Sequence, residues 1–284
     1  MKSKLYQCLA FAALLLFGGC AEAAITCSVS SNGFIAGFNV GTQTIVQTSF
    51  TVSCTRDATS DPTSVNYSNA ANNGLYPNGI NNRALLSGSN YLRYDAFVDS
   101  GCATQWKGAN TIAGSISFSG TGTVSKVHNF WGCIAAGAAV PAAGTYTDTV
   151  TMTLSYGPTP QATASGTFPV TIISPATCSI NPAPGTLAFG TYVAFGSALA
   201  GSSGFGITCS KDLPYTLSVS PTGGTIAGVN YTLLLNATAT TLNLTGTGVQ
   251  QNQSIDGSMA AGQAGTCAAG TCSATVPHTL TLTY

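Results

Sequence analysis

Apolar and polar residues alternate with a period of two in several short stretches of this chain. The clearest stretches are 49–54, 150–156, 204–209 and 278–284, and in each of them the apolar side chains fall on one face. A period of two is typical of a half-buried β-strand. Segments rich in Gly, Asn and Ser separate these stretches, and none has the spacing of a long amphipathic helix. The pattern predicts an all-β protein.

The two halves of the chain repeat the same order of features. The strand predicted at 49–54 ends on a cysteine, as does the strand predicted at 204–209, and the closing strands at 150–156 and 278–284 share one pattern. Short strands separated by turns favour β-sandwiches of the immunoglobulin-like type. The chain therefore indicates a diverged duplication that forms two immunoglobulin-like β-sandwich domains.

The predicted domains occupy 24–156 and 178–284, and the segment between them, 157–177, differs from a free linker. It begins with the strand breaker Gly-Pro-Thr-Pro and then alternates again, with three large apolar side chains on one face. These side chains are Phe168, Val170 and Ile172. A free linker needs no apolar face, whereas a strand that completes a sandwich does. We therefore predict that this segment complements domain 1 in cis.

The first 23 residues have the three parts of an export signal. Two lysines begin it, an apolar run follows, and Ala21-Glu22-Ala23 has the small-x-small pattern that signal peptidase cleaves. The apolar run is too short to span a bilayer as a helix. We predict a signal peptide at 1–23 and export of the mature chain. An alternative is a lipoprotein signal ending at Cys20, although Phe17 fits that signal poorly.

Eight cysteines follow the signal peptide, and an even number in an exported chain indicates disulfides. They are Cys27, Cys54, Cys102, Cys133, Cys178, Cys209, Cys267 and Cys272. The repeat favours pairing each strand-ending cysteine with the cysteine before it, which gives Cys27–Cys54 and Cys178–Cys209. By elimination the remaining pairs are Cys102–Cys133 and Cys267–Cys272, and the last pairing stays open because its loop would be very short.

Candidate chemistry is sparse. The 284 residues contain eight Lys and Arg and eight Asp and Glu, too few to form an electrostatic footprint for nucleic acid or an anionic membrane. There is no Gly-x-Ser-x-Gly elbow and no paired-carboxylate pattern, and the two histidines, His128 and His278, fall in different halves. We expect both histidines to be structural. The sequence predicts a protein that is not an enzyme and has no metal and no cofactor.

Four segments follow the motif order of a known family. They are Asn-Tyr-Leu-Arg-Tyr-Asp at 90–95, Gly-Thr-Tyr-Thr-Asp-Thr-Val at 144–150, Leu-Ala-Phe-Gly-Thr-Tyr at 187–192 and Pro-Tyr-Thr-Leu-Ser at 214–218. In this order the chain resembles the spore coat protein U domain family, which includes the pilins of archaic chaperone–usher pili. Domain 1 departs from the family at its opening, where it has Gly-Phe-Ile-Ala-Gly-Phe at 33–38, and domain 2 lacks the Gly-x-Tyr-x-Asp closing motif.

The resemblance implies a mechanism of assembly. A pilin domain of this family resembles an immunoglobulin sandwich without its last strand, so it exposes an apolar groove and unpaired edge groups. A periplasmic chaperone fills the groove until the extension of a neighbouring subunit adds the missing strand. The implied partners are a periplasmic chaperone, an outer-membrane usher and neighbouring pilin subunits, and the implied location is a fimbrium on the cell surface.

The two ends of the chain differ in what they offer to such a fibre. Leu280, Leu282 and Tyr284 form the terminal strand predicted for domain 2, which leaves that domain without its final strand. Only a few residues separate the signal peptide from Cys27, too few for a donor strand. The chain is thus expected to accept a strand but not to donate one, as a tip adhesin of a biofilm-forming fibre would. An alternative is a self-assembling spore or cell-surface coat protein.

Apolar loops of domain 1 are the candidates for binding an abiotic or host surface. The residues selected for this role are Phe34, Ile35, Phe38, Leu75, Tyr76, Trp131 and Val140. Clustered apolar residues in loops are typical of interaction surfaces. The alternative for each of them is a core position near the end of a strand. Trp106 and Tyr76 are also candidates for a platform on which a sugar ring stacks.

Overall fold

The computed structural model describes residues 25–159, 161–267 and 272–284. Eighteen β-strands account for the regular secondary structure of these residues, so the predicted all-β fold is confirmed. No helix in the described ranges is long and apolar enough to cross a membrane. The strands divide into two sets, each with its own apolar core.

Domain 1 contains the first ten strands. They are β1 (Thr26–Ser31), β2 (Phe34–Gly37), β3 (Thr44–Arg56), β4 (Ser64–Ala71), β5 (Asn82–Ser87), β6 (Asn90–Phe97), β7 (Ile112–Ser117), β8 (Gly122–Ile134), β9 (Gly144–Tyr156) and β10 (Ala162–Ser174). Along the main path the order is β1-β3-β8-β6-β5-β9-β10-β2, and β4 joins β9 to β7.

The core of domain 1 is built around four aromatic rings that pack together. Trp106 lies between Phe50 and Phe168, with ring centroids 4.9 and 6.2 Å away, and Phe130 packs 5.1 Å from Phe168. All four side chains are fully buried. The burial of such large rings is among the largest apolar contributions to the stability of a domain of this size.

Domain 2 contains the remaining eight strands. They are β11 (Cys178–Ile180), β12 (Leu199–Cys209), β13 (Pro214–Ser220), β14 (Gly223–Ile226), β15 (Val229–Leu235), β16 (Thr241–Thr245), β17 (Gln251–Met259) and β18 (Thr279–Thr283). One sheet has the order β11-β12-β17-β15-β14 and the other has the order β16-β13-β18. The core between them centres on Ile207, Leu217 and Leu235.

Four disulfides stabilise the chain, two within each domain. They join Cys27 to Cys54, Cys102 to Cys133, Cys178 to Cys209 and Cys267 to Cys272. These are the pairs that the sequence favours. The first and third occupy matching places, because each links the first strand of its domain to the next long strand.

Strand pairings repeat between the domains. In domain 1, β3–β8, β6–β8, β5–β6 and β4–β9 are paired, and in domain 2 the counterparts are β12–β17, β15–β17, β14–β15 and β13–β18. The pairings of β10 with β9 and β2 have no counterpart among the described residues of domain 2. The two domains therefore share most strand pairings but differ at β10, at β2 and in the pairing of β5 with β9.

The domains meet through the loop of domain 1 that contains Val140 and through Asn90, the first residue of β6. The backbone N–H of Val140 donates to the carbonyl of Gly248 (2.7 Å), and the N–H of Lys211 donates to the carbonyl of Val140 (3.2 Å). The Lys211 ammonium also donates to the side-chain oxygen of Asn90 at 2.7 Å. Val140 is buried at this junction.

Candidate functional site

Strand β10 lies inside domain 1 as one of its own strands. It pairs antiparallel with β9 over thirteen residues and parallel with β2 through Val170–Ile173. Phe168, Val170 and Ile172, the three residues selected from the sequence, are fully buried in the core. The segment between the two predicted domains thus contributes apolar side chains and main-chain hydrogen bonds to domain 1.

Two glycines let β10 approach its neighbours closely. A Cβ at Gly166 would overlap the carbonyl oxygen of Val29 on β1. Gly33, at the entrance to β2, has a φ of +69°, and a Cβ there would overlap the carbonyl oxygen of Pro169. The backbone of β10 therefore fits tightly against β1 on one half and against the start of β2 on the other.

The matching position in domain 2 is an open groove. Strand β18, the counterpart of β9, pairs with β13 on one edge, and no strand pairs with its other edge among the described residues. The segment 184–190, which follows β11 as β2 follows β1, forms no strand. Between them lies a groove of about 590 Å³. We call it the open groove.

Large apolar side chains line the open groove beside polar ones such as Ser203 and His278, and no Asp, Glu, Lys or Arg lines it in the described part of the chain. Its large side chains come from both sheets and from the segment before β18: Leu187, Phe189, Val219, Ile226, Tyr231, Leu233, Ile255, Met259, Val276 and Leu280. Leu280 and Leu282 are only half-buried, whereas Met152 and Leu154, their counterparts on β9, are fully buried. The terminal strand therefore has apolar surface that its own domain does not cover. Tyr284 follows the strand and is exposed.

Both histidines have structural roles. The Nδ1 of His278 lies 2.7 Å from the carbonyl of Pro221, so Nδ1 carries the proton, and the Tyr231 hydroxyl donates to Nε2 at 2.6 Å. His128 lies 2.6 Å from the hydroxyl of Tyr67 in domain 1. Burial, with a smaller effect of Lys126, lowers the pKa of His128. Each imidazole is thus hydrogen-bonded to a tyrosine, and His278 also lines the open groove.

Buried charges in domain 1 hold loops in place. The carboxylate of Asp148 accepts hydrogen bonds from the Tyr94 hydroxyl (2.7 Å) and the Leu75 backbone N–H (2.8 Å). Burial, and then the hydrogen bond to Asp148, raises the pKa of Tyr94 far above its ordinary value. Asp95 accepts from the Lys107 ammonium at 2.7 Å. No group of three or more His, Cys, Asp or Glu side chains suits a metal ion in the described residues.

Three residues selected as surface-binding are buried, so that prediction is wrong for them. Phe34 lies on the inward face of β2 and packs edge-on against Tyr94, with ring centroids 5.8 Å apart. Phe38 is buried beside Gly137, and Val140 is buried at the domain junction. Trp106, a candidate for sugar stacking, is also fully buried and donates its indole N–H to the carbonyl of Asn69. These side chains contribute to packing because neighbouring strands, or domain 2 in the case of Val140, cover them.

The other selected residues lie at the surface of domain 1. Ile35 is 69% exposed and Leu75 is 63% exposed, while Tyr76 and Trp131 are half-buried. Ile80, which sequence reasoning missed, is 69% exposed and lies in the same loop as Leu75. The structure brings Leu75 and Ile80 together on one loop but places Ile35 on β2, on a different element.

The sequence profile of the Spore Coat Protein U domain matches residues 13–153 and 164–245. The chain belongs to the Spore Coat Protein U domain family. The family resemblance read from the sequence motifs is thus confirmed. No curated protein sequence matches this chain.

Several solved structures are also similar to this chain. The archaic Csu pilus chaperone–tip adhesion subunit complex (CsuC–CsuE) of Acinetobacter baumannii aligns with 15% identity and a TM-score of 0.44, covering 91% of this chain and 100% of that one. The CupB6 tip adhesin of Pseudomonas aeruginosa aligns with 13% identity and a TM-score of 0.42, covering 92% and 96%. CfaE, the adhesive subunit of CFA/I fimbria of enterotoxigenic Escherichia coli, aligns with 11% identity and a TM-score of 0.34, covering 91% and 98%.

Proposed function

We propose that this chain is a non-enzymatic subunit of a chaperone–usher surface fibre whose second domain accepts a β-strand from a neighbouring subunit. The observation that carries the proposal is the open groove, which lies in domain 2 where β10 lies in domain 1. Membership of the Spore Coat Protein U domain family supports it, because the resemblance implies pilins that assemble by strand addition.

The physical case rests on the edge of β18. An unpaired strand edge exposes N–H and C=O groups that can bond to an added strand, and the groove beside it offers apolar contacts. Strand β10 indicates the form of the occupant: alternating large apolar side chains on one face, running antiparallel to the closing strand. Before assembly, a periplasmic chaperone would cover the same surface, and an outer-membrane usher would exchange it for the donor.

We further propose that the subunit lies at the fibre tip with domain 1 as the adhesive head. Domain 1 is supported as a head because β10 already fills its groove, so it has no strand vacancy in the described residues. The exposed loop residues Leu75 and Ile80 offer apolar contacts to an abiotic or host surface. The carboxylate of Asp148 fixes the backbone at Leu75, which lowers the entropy lost on binding.

A peptide with the sequence of residues 162–174 tests the proposal. Added to the purified full-length chain, it should bind in the open groove and stabilise domain 2. At a hundred times its Kd it should add about 2.7 kcal/mol, which corresponds to a rise of roughly 10 °C in the Tm of domain 2. Calorimetry measures both transitions, and the transition of domain 1 should not move.

The matched control is the same peptide with Phe168, Val170 and Ile172 each replaced by serine. It keeps the backbone and the length but loses the apolar face, so it should not bind. The proposal is wrong if the unaltered peptide leaves domain 2 unchanged, or if both peptides stabilise it equally.

A further inference from the structure

The end of domain 2 that lies away from domain 1 carries two exposed apolar side chains. Val193 is 69% exposed and Phe195 is 74% exposed. They lie in the loop before Leu199, which pairs with Met259 at the opposite end of β12 from Cys209. Because Lys211 contacts domain 1 just beyond Cys209, this loop is at the far pole. We define the far pole as residues 192–196 together with 260–263.

The far pole is held rigidly. The N–H of Phe195 donates to the carbonyl of Gln263 (2.8 Å), and the N–H of Gly262 donates to the carbonyl of Gly196 (3.0 Å). The Tyr192 hydroxyl accepts from the N–H of Gln263 (2.9 Å) and donates to the carbonyl of Ala260 (3.0 Å). The two exposed side chains are therefore presented by a fixed loop, which loses little entropy when a partner covers it.

Phe195 is also placed at a conformational cost. Its φ is +58°, in the left-handed region that bulky L-residues rarely adopt. Exposure of the ring and this backbone strain are both unfavourable in the isolated chain. A partner that buries the ring would offset both.

The duplication indicates what that partner is. In domain 1 the corresponding pole contains the loop after β8, and there the loop at Gly41 bonds to the carbonyl of Gly137 as the loop at Phe195 bonds to Gln263. That pole docks on the next domain of the chain through Val140. Strand β10 ends at this pole and leads directly into domain 2.

The same geometry applies to the open groove. A strand that runs antiparallel to β18 ends beside Thr279, where β18 begins. Thr279 pairs with Ser220, at the far-pole end of β13. The globular body that follows a donor strand would therefore lie against the far pole, as domain 2 lies against domain 1.

We propose that the far pole, through Val193 and Phe195, docks on the body of the Spore Coat Protein U domain that donates its strand to the open groove. This inference rests on the proposed function. It adds a second contact outside the groove, so that the neighbouring subunit is fixed in orientation rather than attached by one extended strand alone.

The test compares two probes on the full-length chain. One probe is the free peptide 162–174, and the other is residues 162–284 with a second copy of 157–174 joined after Tyr284, so that the added segment has a turn and a strand to fill its own groove. The second probe is used once it shows a cooperative melting transition. It carries a strand followed by a domain, so it should bind the full-length chain at least about tenfold more tightly than the peptide.

The variant V193S/F195N removes both apolar side chains, and asparagine accepts the φ of position 195. We expect it to bind the peptide with an unchanged Kd and the domain-bearing probe about tenfold more weakly than the unaltered chain does. Val127→Ser is the matched control, since Val127 is 60% exposed on β8 in domain 1. It should bind both probes normally.

Each result decides a different point. If the domain-bearing probe binds no more tightly than the peptide, or if V193S/F195N and Val127→Ser behave alike, the far-pole contact is overturned while the strand-acceptor function stands. If the peptide itself does not bind the unaltered chain, the proposed function fails and the far-pole contact fails with it.

Discussion

Single residues show why a strand that completes a sandwich needs more than an apolar face. Phe168, Val170 and Ile172 could be selected from their alternation, but the close approach at Gly166 could not, because it depends on the carbonyl of Val29 more than a hundred positions away in the chain. Likewise, Phe34 has the neighbours of a loop residue in the sequence. It is buried because β2 pairs with β10, a contact between distant segments that local pattern does not reveal.

Replacing Gly166 by alanine should destabilise domain 1. The added methyl group would overlap the Val29 carbonyl, and overpacking of this kind costs about 1–3 kcal/mol. Gly37→Ala is the control, because a Cβ at Gly37 meets no atom within 4 Å. Both substitutions change the unfolded chain in the same way, so their difference in denaturant unfolding reports the close approach. Equal stabilities would contradict the tight fit of β10.

At the level of elements, the sequence predicts strands where burial is one-sided and misses them where it is not. Strands β9 and β12 contain the stretches predicted at 150–156 and 204–209, and β18 lies within the stretch predicted at 278–284, because their apolar residues alternate. Strand β17, Gln251–Met259, was missed since its sequence is mostly polar. It is nevertheless central in its sheet, because main-chain hydrogen bonds to β12 and β15 hold it on both edges. The position of β17 is therefore determined by its pairing with β12 and β15, which its own side-chain pattern does not indicate.

Strand β10 offers a matched pair of adjacent isoleucines. Ile172 is 0% exposed and Ile173 is 47% exposed, although both belong to the same strand. Truncating a fully buried isoleucine costs about 2–5 kcal/mol, so Ile172→Ala should lower the stability of domain 1 by that amount. Ile173→Ala should cost less than about 1 kcal/mol.

Unfolding of the full-length chain, followed as one transition for each domain, measures the stability of domain 1 in both variants. The transition of domain 2 should not change. If Ile172→Ala were as mild as Ile173→Ala, β10 would not be part of the core of domain 1. A loss of stability in domain 2 would instead indicate that the segment serves the second domain.

At the scale of the whole molecule, the two copies of the duplicated fold differ at one edge of the sandwich. In domain 1 the strand after the closing strand returns to its own sheet, and in domain 2 the corresponding edge is open. The sequence could predict this asymmetry in outline, because the alternating segment occurs once. It could not predict the far pole, since the exposure of Val193 and Phe195 depends on how residues 260–263 fasten their loop.

Hydrogen exchange can distinguish the two edges of the three-stranded sheet in domain 2. Both β16 and β18 pair with β13 and each forms one edge, so β16 is a built-in control for β18. Amides on an edge without a partner exchange quickly, because no interstrand hydrogen bond has to open first. In the free chain, the outward-facing amides of both strands should exchange rapidly, while those of β9 should be protected on both of its edges.

Adding the peptide 162–174 should then slow exchange in β18 and leave β16 unchanged. Protection should follow every second amide of β18, since alternate N–H groups of an edge strand point away from its existing partner. Equal protection of both edges would indicate a general stabilisation of domain 2 rather than strand addition. Protection confined to β16 would place the added strand on the wrong side of the sheet, away from the open groove, and would exclude this groove as the acceptor.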